Sequence, residues 1–115
     1  MDAVSVSYFV RYEGKAESPQ EFLEHYREQH VPLLARFPRI RRILLHTPTP
    51  WRDAYPVKPD TFAILVQMEF DSLADLEAAV GSQARAEARR DFGRMPPFQG
   101  VVYHTAAVSE EVFSQ

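Results

Sequence analysis

The chain contains no cysteine. Disulfides, thiolate nucleophiles, iron–sulfur clusters and zinc-thiolate sites are therefore excluded, any metal ligand has to come from His, Asp or Glu, and stability has to come from packing. Glycine is scarce as well, with four residues in all, and none falls in a phosphate-cradling loop, a dinucleotide fingerprint or a nucleophile elbow, which leaves hydride and phosphoryl transfer without support. There is no excess of positive charge: 13 Lys and Arg stand against 16 Asp and Glu, for a net charge of -3. A partner held through phosphates needs a basic face, so nucleic acid is not expected. No run approaches the roughly 20 apolar residues that span a bilayer. Met1 to Val10 lacks the basic start, apolar run and small-residue cleavage site of a signal peptide. The expectation is a cytoplasmic protein with no membrane partner.

What is present suits a packed globular chain. The 115 residues are 45% hydrophobic and 25% charged, far from the charge-rich, apolar-poor composition of disordered segments. Residues 1–115 read as a single domain.

Val4, Val6, Tyr8, Val10 and Tyr12 alternate with Ser5, Ser7, Phe9 and Arg11, the period of a strand. Gly14 to Glu17 reads as a polar break, and Ser18-Pro19-Gln20-Glu21 supplies an N-cap serine, proline at the first helical position and a glutamate in the first turn. A helix follows with its apolar stripe through Phe22, Leu23, Tyr26, Leu33, Leu34 and Phe37. Pro32 removes a backbone donor and crowds the preceding turn, which predicts a kink near Gln29 to Val31. Ile40 to Thr47 and Thr61 to Phe70 read as strands, separated by a long loop that carries Trp51, Tyr55 and four prolines. Ser72-Leu73-Ala74-Asp75 opens a second helix, striped through Leu73, Leu76 and Val80; Gly81 and Ser82 interrupt it, and it resumes to about Phe92. Gly93 to Gln99 reads as a loop and Val101 to Val108 as a last strand.

The order βαββαβ predicts an α+β, ferredoxin-like fold, with a four-stranded antiparallel sheet covered on one face by helices. The other face of such a sheet is normally polar, yet the strand striped on one face by Phe62, Ile64, Val66, Met68 and Phe70 carries apolar Ala63 and Leu65 on the other. A second copy packing sheet on sheet removes that apolar surface from water, so a homodimer is expected.

Phe22-x-x-His25-Tyr26-x-x-x-His30-x-Pro32-Leu33 followed by Pro38, then Phe70-Asp71-Ser72-Leu73-Ala74-Asp75-Leu76 and the ending Ala107-Val108-Ser109-Glu110-Glu111-Val112, together resemble the EthD family, named for a protein of ethyl tert-butyl ether degradation. The resemblance covers nearly the whole chain and implies a dimeric α/β barrel with a pocket between each sheet and its own helices. In that superfamily it implies cofactor-free isomerase, polyketide cyclase or monooxygenase chemistry, with heme binding in more distant branches. Tyr26 stands where the family commonly has Trp. Its frequent Pro-Gly-aliphatic-x-x-Tyr reads Pro38-Arg39-Ile40-Arg41-Arg42-Ile43 here, so no aromatic hydroxyl occupies position 43.

Phe22, Tyr26 and His30 recur four residues apart and share a helix stripe. His30 is the candidate catalytic residue, since an imidazole exchanges a proton near neutral pH, as enolisation, lactone migration or aldol-type ring closure requires. The alternative is that His30 bonds a nearby carbonyl and orders the kink before Pro32. Tyr26, Phe22, Arg42 and Trp51 are the candidate substrate-binding residues: Tyr26 and Phe22 on the stripe, Arg42 among Arg36, Arg39, Arg41 and Arg42 as a carboxylate clamp, and Trp51 as a cover for the pocket mouth or a contact with the second subunit. His25 reads as solvated, as do Arg85, Arg89, Arg90 and Arg94. Tyr103 and His104 must face opposite ways. His25, His30, His46 and His104 show no His-Glu-x-x-His spacing, and no metal is expected.

The sequence thus predicts a small homodimeric, enzyme-like protein that acts on or binds a hydrophobic, oxygen-bearing small molecule without a bound cofactor, with His30 as proton shuttle. A non-catalytic ligand-binding or accessory protein of a degradation pathway, and a heme-binding barrel, are the alternatives.

Overall fold

The alternating strand β1 (Val4–Ala16) lies in the middle of a four-stranded sheet and pairs antiparallel with β3 (Ile64–Phe70) on one side and β4 (Phe98–Glu110) on the other, while β2 (Arg42–His46) adds to the far edge of β3. The strand order is β2-β3-β1-β4. In this computed structural model, which describes residues 4–115, the helices are α1 (Pro19–His25), a π-helical turn (Tyr26–His30), α2 (Val31–Leu34), α3 (Leu73–Val80) and α4 (Gln83–Phe92). The fold is the α+β, ferredoxin-like arrangement expected from the order of elements.

Serines start three helices: Ser18 and Ser72 as expected, and Ser82, read only as an interruption, as well. Ser18 Oγ accepts from Glu21 N at 3.4 Å, Ser72 Oγ from Asp75 N at 3.1 Å and Ser82 Oγ from Arg85 N at 3.2 Å, each satisfying a donor that the first helical turn leaves open. The predicted kink before Pro32 is a π-helical turn. Pro32 has no N–H to give to the carbonyl four residues back, and the Val31 N–H instead reaches the carbonyl of Tyr26, five residues back.

The core forms where the apolar stripes meet. Val10 and Tyr12 of β1 and Ile64, Val66, Met68 and Phe70 of β3 face Phe22, Tyr26, Leu34, Phe37, Leu76, Ala79 and Ala88, all buried. Tyr12 is the hub of an aromatic cluster, with ring centroids 5.6 Å from both Phe22 and Tyr26 and 5.7 Å from Phe98. In α3 the inward stripe runs through Leu76 and Ala79, while Leu73, expected inside, is exposed at the helix start.

Two segments read as breaks are strand. The polar stretch after Tyr12 and the segment before Val101 continue β1 and β4, so that Gly14 pairs with Gly100 and Ala16 with Phe98. Both glycines carry positive φ, 143° and 157°, and each backbone sits where a side chain on its partner would stand: a Cβ on Gly14 meets the Gln99 carbonyl and one on Gly100 meets that of Glu13. Glycine at both positions lets the strands stay paired through the bend. β2, conversely, is shorter than expected, because Arg39 takes φ 62° and turns the chain after α2. Arg39 stands at the glycine of the Pro-Gly pattern that the sequence resembles, and its guanidinium holds Asp75 Oδ1 at 2.8 Å.

Gly14→Ala and Gly100→Ala are each expected to destabilise the protein by about 1–3 kcal/mol, the cost of a disfavoured backbone conformation, with further loss where the carbonyl must shift. Thermal denaturation checks this: both variants melt several degrees below the parent, while Gly93→Ala, whose added Cβ would lie 3.4 Å from its nearest neighbour, melts close to it.

Candidate active site

The π-helical turn has a positional effect. It keeps Tyr26 and His30 on the inward side, with ring centroids 4.9 Å apart, and both are buried. Opposite them, α4 carries Asp91 on the same inward stripe as Ala88, and its side chain is 8% exposed. His30 Nδ1 lies 2.9 Å from Asp91 Oδ2, and His25 Nε2 lies 3.2 and 3.1 Å from its two oxygens.

A carboxylate can only accept here, so His30 Nδ1 carries the hydrogen and Nε2 is the bare nitrogen. Among the described residues Nε2 has no hydrogen-bond partner, and His30 lines a cavity between the helices and the sheet. Burial lowers the His30 pKa below the ordinary histidine value; the hydrogen bond and charge of Asp91 oppose this, and the charges of His25 and Arg89 add to the lowering. His30 is therefore neutral at pH 7, a base with an open lone pair. Burial acts to raise the Asp91 pKa, but the hydrogen bonds from His30 and His25 outweigh it and hold the group below the ordinary carboxylate value. Burial likewise raises the phenol pKa values of Tyr12 and Tyr26, so both keep their O–H.

The cavity walls are apolar along Val10, Leu34, Phe37, Met68, Phe92 and Val102. The room is narrow. About 30 Å³ is open to the centre of a water molecule, within about 410 Å³ of unfilled space counted out to the mouth. One water needs roughly 10–15 Å³ of such open space. A ligand of ordinary size enters only if side chains at the mouth move.

Of the residues singled out from the sequence, His30 and Tyr26 meet at this cavity. Phe22 is buried but stacks on Phe98, with centroids 5.2 Å apart, and supports the core instead of lining the cavity. Arg42 points from β2 to the opposite side of the sheet, where its Nε donates to Glu69 Oε2 at 2.9 Å. Arg36, Arg39 and Arg41 are also paired, with Glu87, Asp75 and Asp71, so internal carboxylates already occupy the supposed clamp. Trp51 is 58% exposed on the loop and lines a shallow depression with Tyr55 and Val57, away from the cavity. His104 lines the cavity and Tyr103 faces away from it, as strand alternation requires.

His25, read as solvated, is part of the hydrogen-bonded cluster, and Arg85 and Arg89, read as a solvated face, line the cavity. Asp91 was missed altogether. Its signal was an acid in the last turn of a basic helix, where it opposes the helix dipole, three residues beyond the inward-facing Ala88. Among the described residues no group of three or more His, Asp or Glu side chains is placed to hold a metal. No helix among them is long and apolar enough to cross a membrane.

Residues 15–105 match the EthD domain. The chain belongs to the EthD family. The EthD family protein of Bacillus halodurans C-125 superposes with a TM-score of 0.66 at 21% identity, over 94% of this chain and 99% of that one. A hydroxynitrile lyase from Passiflora edulis gives 0.65 at 18% identity, over 96% and 97%. SnoaB of Streptomyces nogalater, a cofactor-independent oxygenase seen as its N63A mutant, gives 0.63 at 14% identity, over 96% and 98%. Other similar structures are described as dimeric ferredoxin-like proteins. At these identities the likeness is one of fold. A comparison with curated proteins found no match.

The lowered pKa values of His30 and Asp91 set the sign of the stability profile. As pH falls below about 6.5 the unfolded EthD chain takes up a proton that folded His30 resists, and near pH 4 and below the same holds for Asp91, so acid destabilises through both groups. Melting temperature is expected to fall steadily from pH 7.5 to pH 5, and the fall to flatten in His30→Gln. A profile with the same slope in both proteins would show that His30 titrates as it does in the unfolded chain.

Proposed function

We propose that this EthD protein is an acid–base enzyme in which His30, oriented by Asp91, moves a proton on a hydrophobic, oxygen-bearing small molecule. The observation that carries this is the buried 2.9 Å contact from His30 Nδ1 to Asp91, which fixes one tautomer and turns the bare Nε2 into an apolar cavity. A neutral imidazole with a buried carboxylate behind it takes a proton from a carbon beside a carbonyl, or from a hydroxyl. The imidazolium so formed is stabilised by Asp91 until the proton is returned elsewhere on the substrate. Tyr26, whose ring packs beside His30 and whose hydroxyl stays protonated, is the donor proposed for the substrate oxygen. Relatives of this fold described as a lyase and as a cofactor-independent oxygenase support small-molecule chemistry of this kind. No step in this reading requires a bound cofactor.

Turnover screened over hydroxynitriles, enolisable ketones, unsaturated lactones and polyketone ring closures tests the proposal. For whichever substrate is converted, His30→Ala is expected to lose about 10²–10⁴-fold in kcat, the range of a general base. Asp91→Asn, which weakens the hold on the tautomer, is expected to lose about tenfold or more, with less change in KM. Conversion unaffected by His30→Ala would falsify the mechanism, and a tightly held ligand returned unchanged by the parent protein would favour the non-catalytic alternative.

We further propose that the working unit is a homodimer joined through the sheet face opposite the helices. Phe9, Leu44 and Leu65 are half-buried there, Val101 and Tyr103 are 52% and 47% exposed, and the adjoining Ser7, Gln67 and Ser109 are bonded to one another. A second copy laid on this face removes its apolar surface from water, which a solitary subunit leaves exposed. Sedimentation at micromolar concentration is expected to give a dimer for the parent and a monomer for Phe9→Lys, and a monomeric parent would overturn the assembly.

A further inference from the structure

The mouth of the cavity is built differently from its floor. Arg85 and Arg89 project from α4, Tyr8 from β1 and His104 from β4, and all four line the same cavity as His30. Tyr8 Oη lies 2.7 Å from His104 Nδ1, and Arg85 Nη2 donates to Tyr8 Oη at 3.5 Å, with its guanidinium 5.8 Å from the Tyr8 ring centre. If His104 Nδ1 accepts from Tyr8, its Nε2 carries a hydrogen, and the cluster presents N–H donors from three side chains.

Among the described residues Arg11, Arg36, Arg39, Arg41 and Arg42 each hold a carboxylate within 4.0 Å; Arg27, Arg52, Arg85, Arg89, Arg90 and Arg94 hold none, and of these only Arg85 and Arg89 line the cavity. The nearby acid, Asp91, is taken up by two imidazoles. The cavity is thus lined by two cations with no paired carboxylate and by a base, along with the apolar side chains of Val10, Leu34, Phe37 and Met68. The positive field reaches both histidines: Arg85 and Arg89 add to the lowering that burial imposes on His104, and Arg89 adds to that of His30.

We propose that Arg85 and Arg89, with Tyr8 and His104, bind a carboxylate of the substrate, so that the ligand is an apolar carboxylic acid held with its reacting carbon toward His30. The proposal rests on the acid–base reading above and adds the substrate class to it. Two guanidinium groups at the edge of an apolar cavity lose little by keeping water as neighbours, yet gain charge-assisted bonds when an anion arrives. A neutral ligand of the same shape leaves that charge unanswered, so discrimination lies in the charge and not in the fit.

Titration calorimetry of the full chain with benzoate and with benzamide, similar in shape but uncharged, tests this. Benzoate is expected to bind at least tenfold more tightly than benzamide, to weaken with added salt, and to lose roughly tenfold in Arg85→Gln and more in the double variant with Arg89→Gln, while Arg85→Lys keeps part of the affinity. Both positions are at least partly exposed, and unchanged circular dichroism confirms that the variants fold. Equal affinity for the two probes, no saturable benzoate binding, or benzoate affinity unchanged in the double variant would each overturn the proposal. His30→Ala separates the two claims: benzoate binding that survives this change, with turnover intact, sinks the acid–base reading and leaves the carboxylate site. Turnover dependent on His30 with benzoate and benzamide bound alike does the reverse.

Discussion

A carboxylate taken out of water has to be answered by donors, or it takes a proton. Asp91 is answered twice, by His30 at 2.9 Å and by His25 at 3.1 Å, and much of the helical layer is organised around that requirement. The two imidazoles come from the segment that begins with α1, the carboxylate from the last turn of α4, so the bonds join the two βαβ halves above the sheet. A buried pair of this type is weak evidence for stability as such, because desolvation consumes most of the attraction. Its effect is directional: it fixes the tautomer and orientation of His30 and leaves one nitrogen facing the cavity.

The π-helical turn explains how His25, Tyr26 and His30 serve one site from a single stretch of chain. In a regular α-helix His25 and Tyr26 stand about 100° apart, and residues beyond Pro32 continue the turn without its N–H. Widening the turn between Tyr26 and His30 lets the Val31 N–H skip to the Tyr26 carbonyl. Pro32 then enters the first turn of α2, where a missing N–H costs nothing. His30 keeps its place behind Tyr26, while His25 reaches Asp91 from the side. Irregular helical geometry at a functional position is a recurrent pattern, and here the proline supplies its cause.

The same sheet serves two purposes through its alternation. Tyr8, Val10, Tyr12, Met68, Val102 and His104 face the helices and form the floor and mouth of the cavity. Phe9, Leu44, Leu65 and Tyr103 face the other way, where no helix covers them. One β1 strand thus carries a cavity residue and an apolar outer-face residue at adjacent positions, Tyr8 and Phe9. A one-residue slip would exchange the two surfaces, and the Gly14–Gly100 pairing helps to fix the register, because side chains at those positions collide with the opposing backbone.

The sequence by itself determined the order of elements, the serine caps, the inward stripe through Tyr26 and His30, the disturbance before Pro32 and the family. Those features are local: a two-residue or near-four-residue period, a cap three positions from its donor, a proline without an N–H. It did not determine that His25 turns inward, that Arg36, Arg39, Arg41 and Arg42 are each matched to an internal acid, that Phe22 belongs to an aromatic stack, or that Asp91 sits behind His30. Each of these depends on a partner distant in the chain, 66 residues away for His25 and 61 for His30. An arginine looks the same along the chain whether a carboxylate waits opposite it or not. Only the packing of α4 against the π-helical turn and the sheet decided which charges are paired within the fold and which line the cavity without a paired carboxylate.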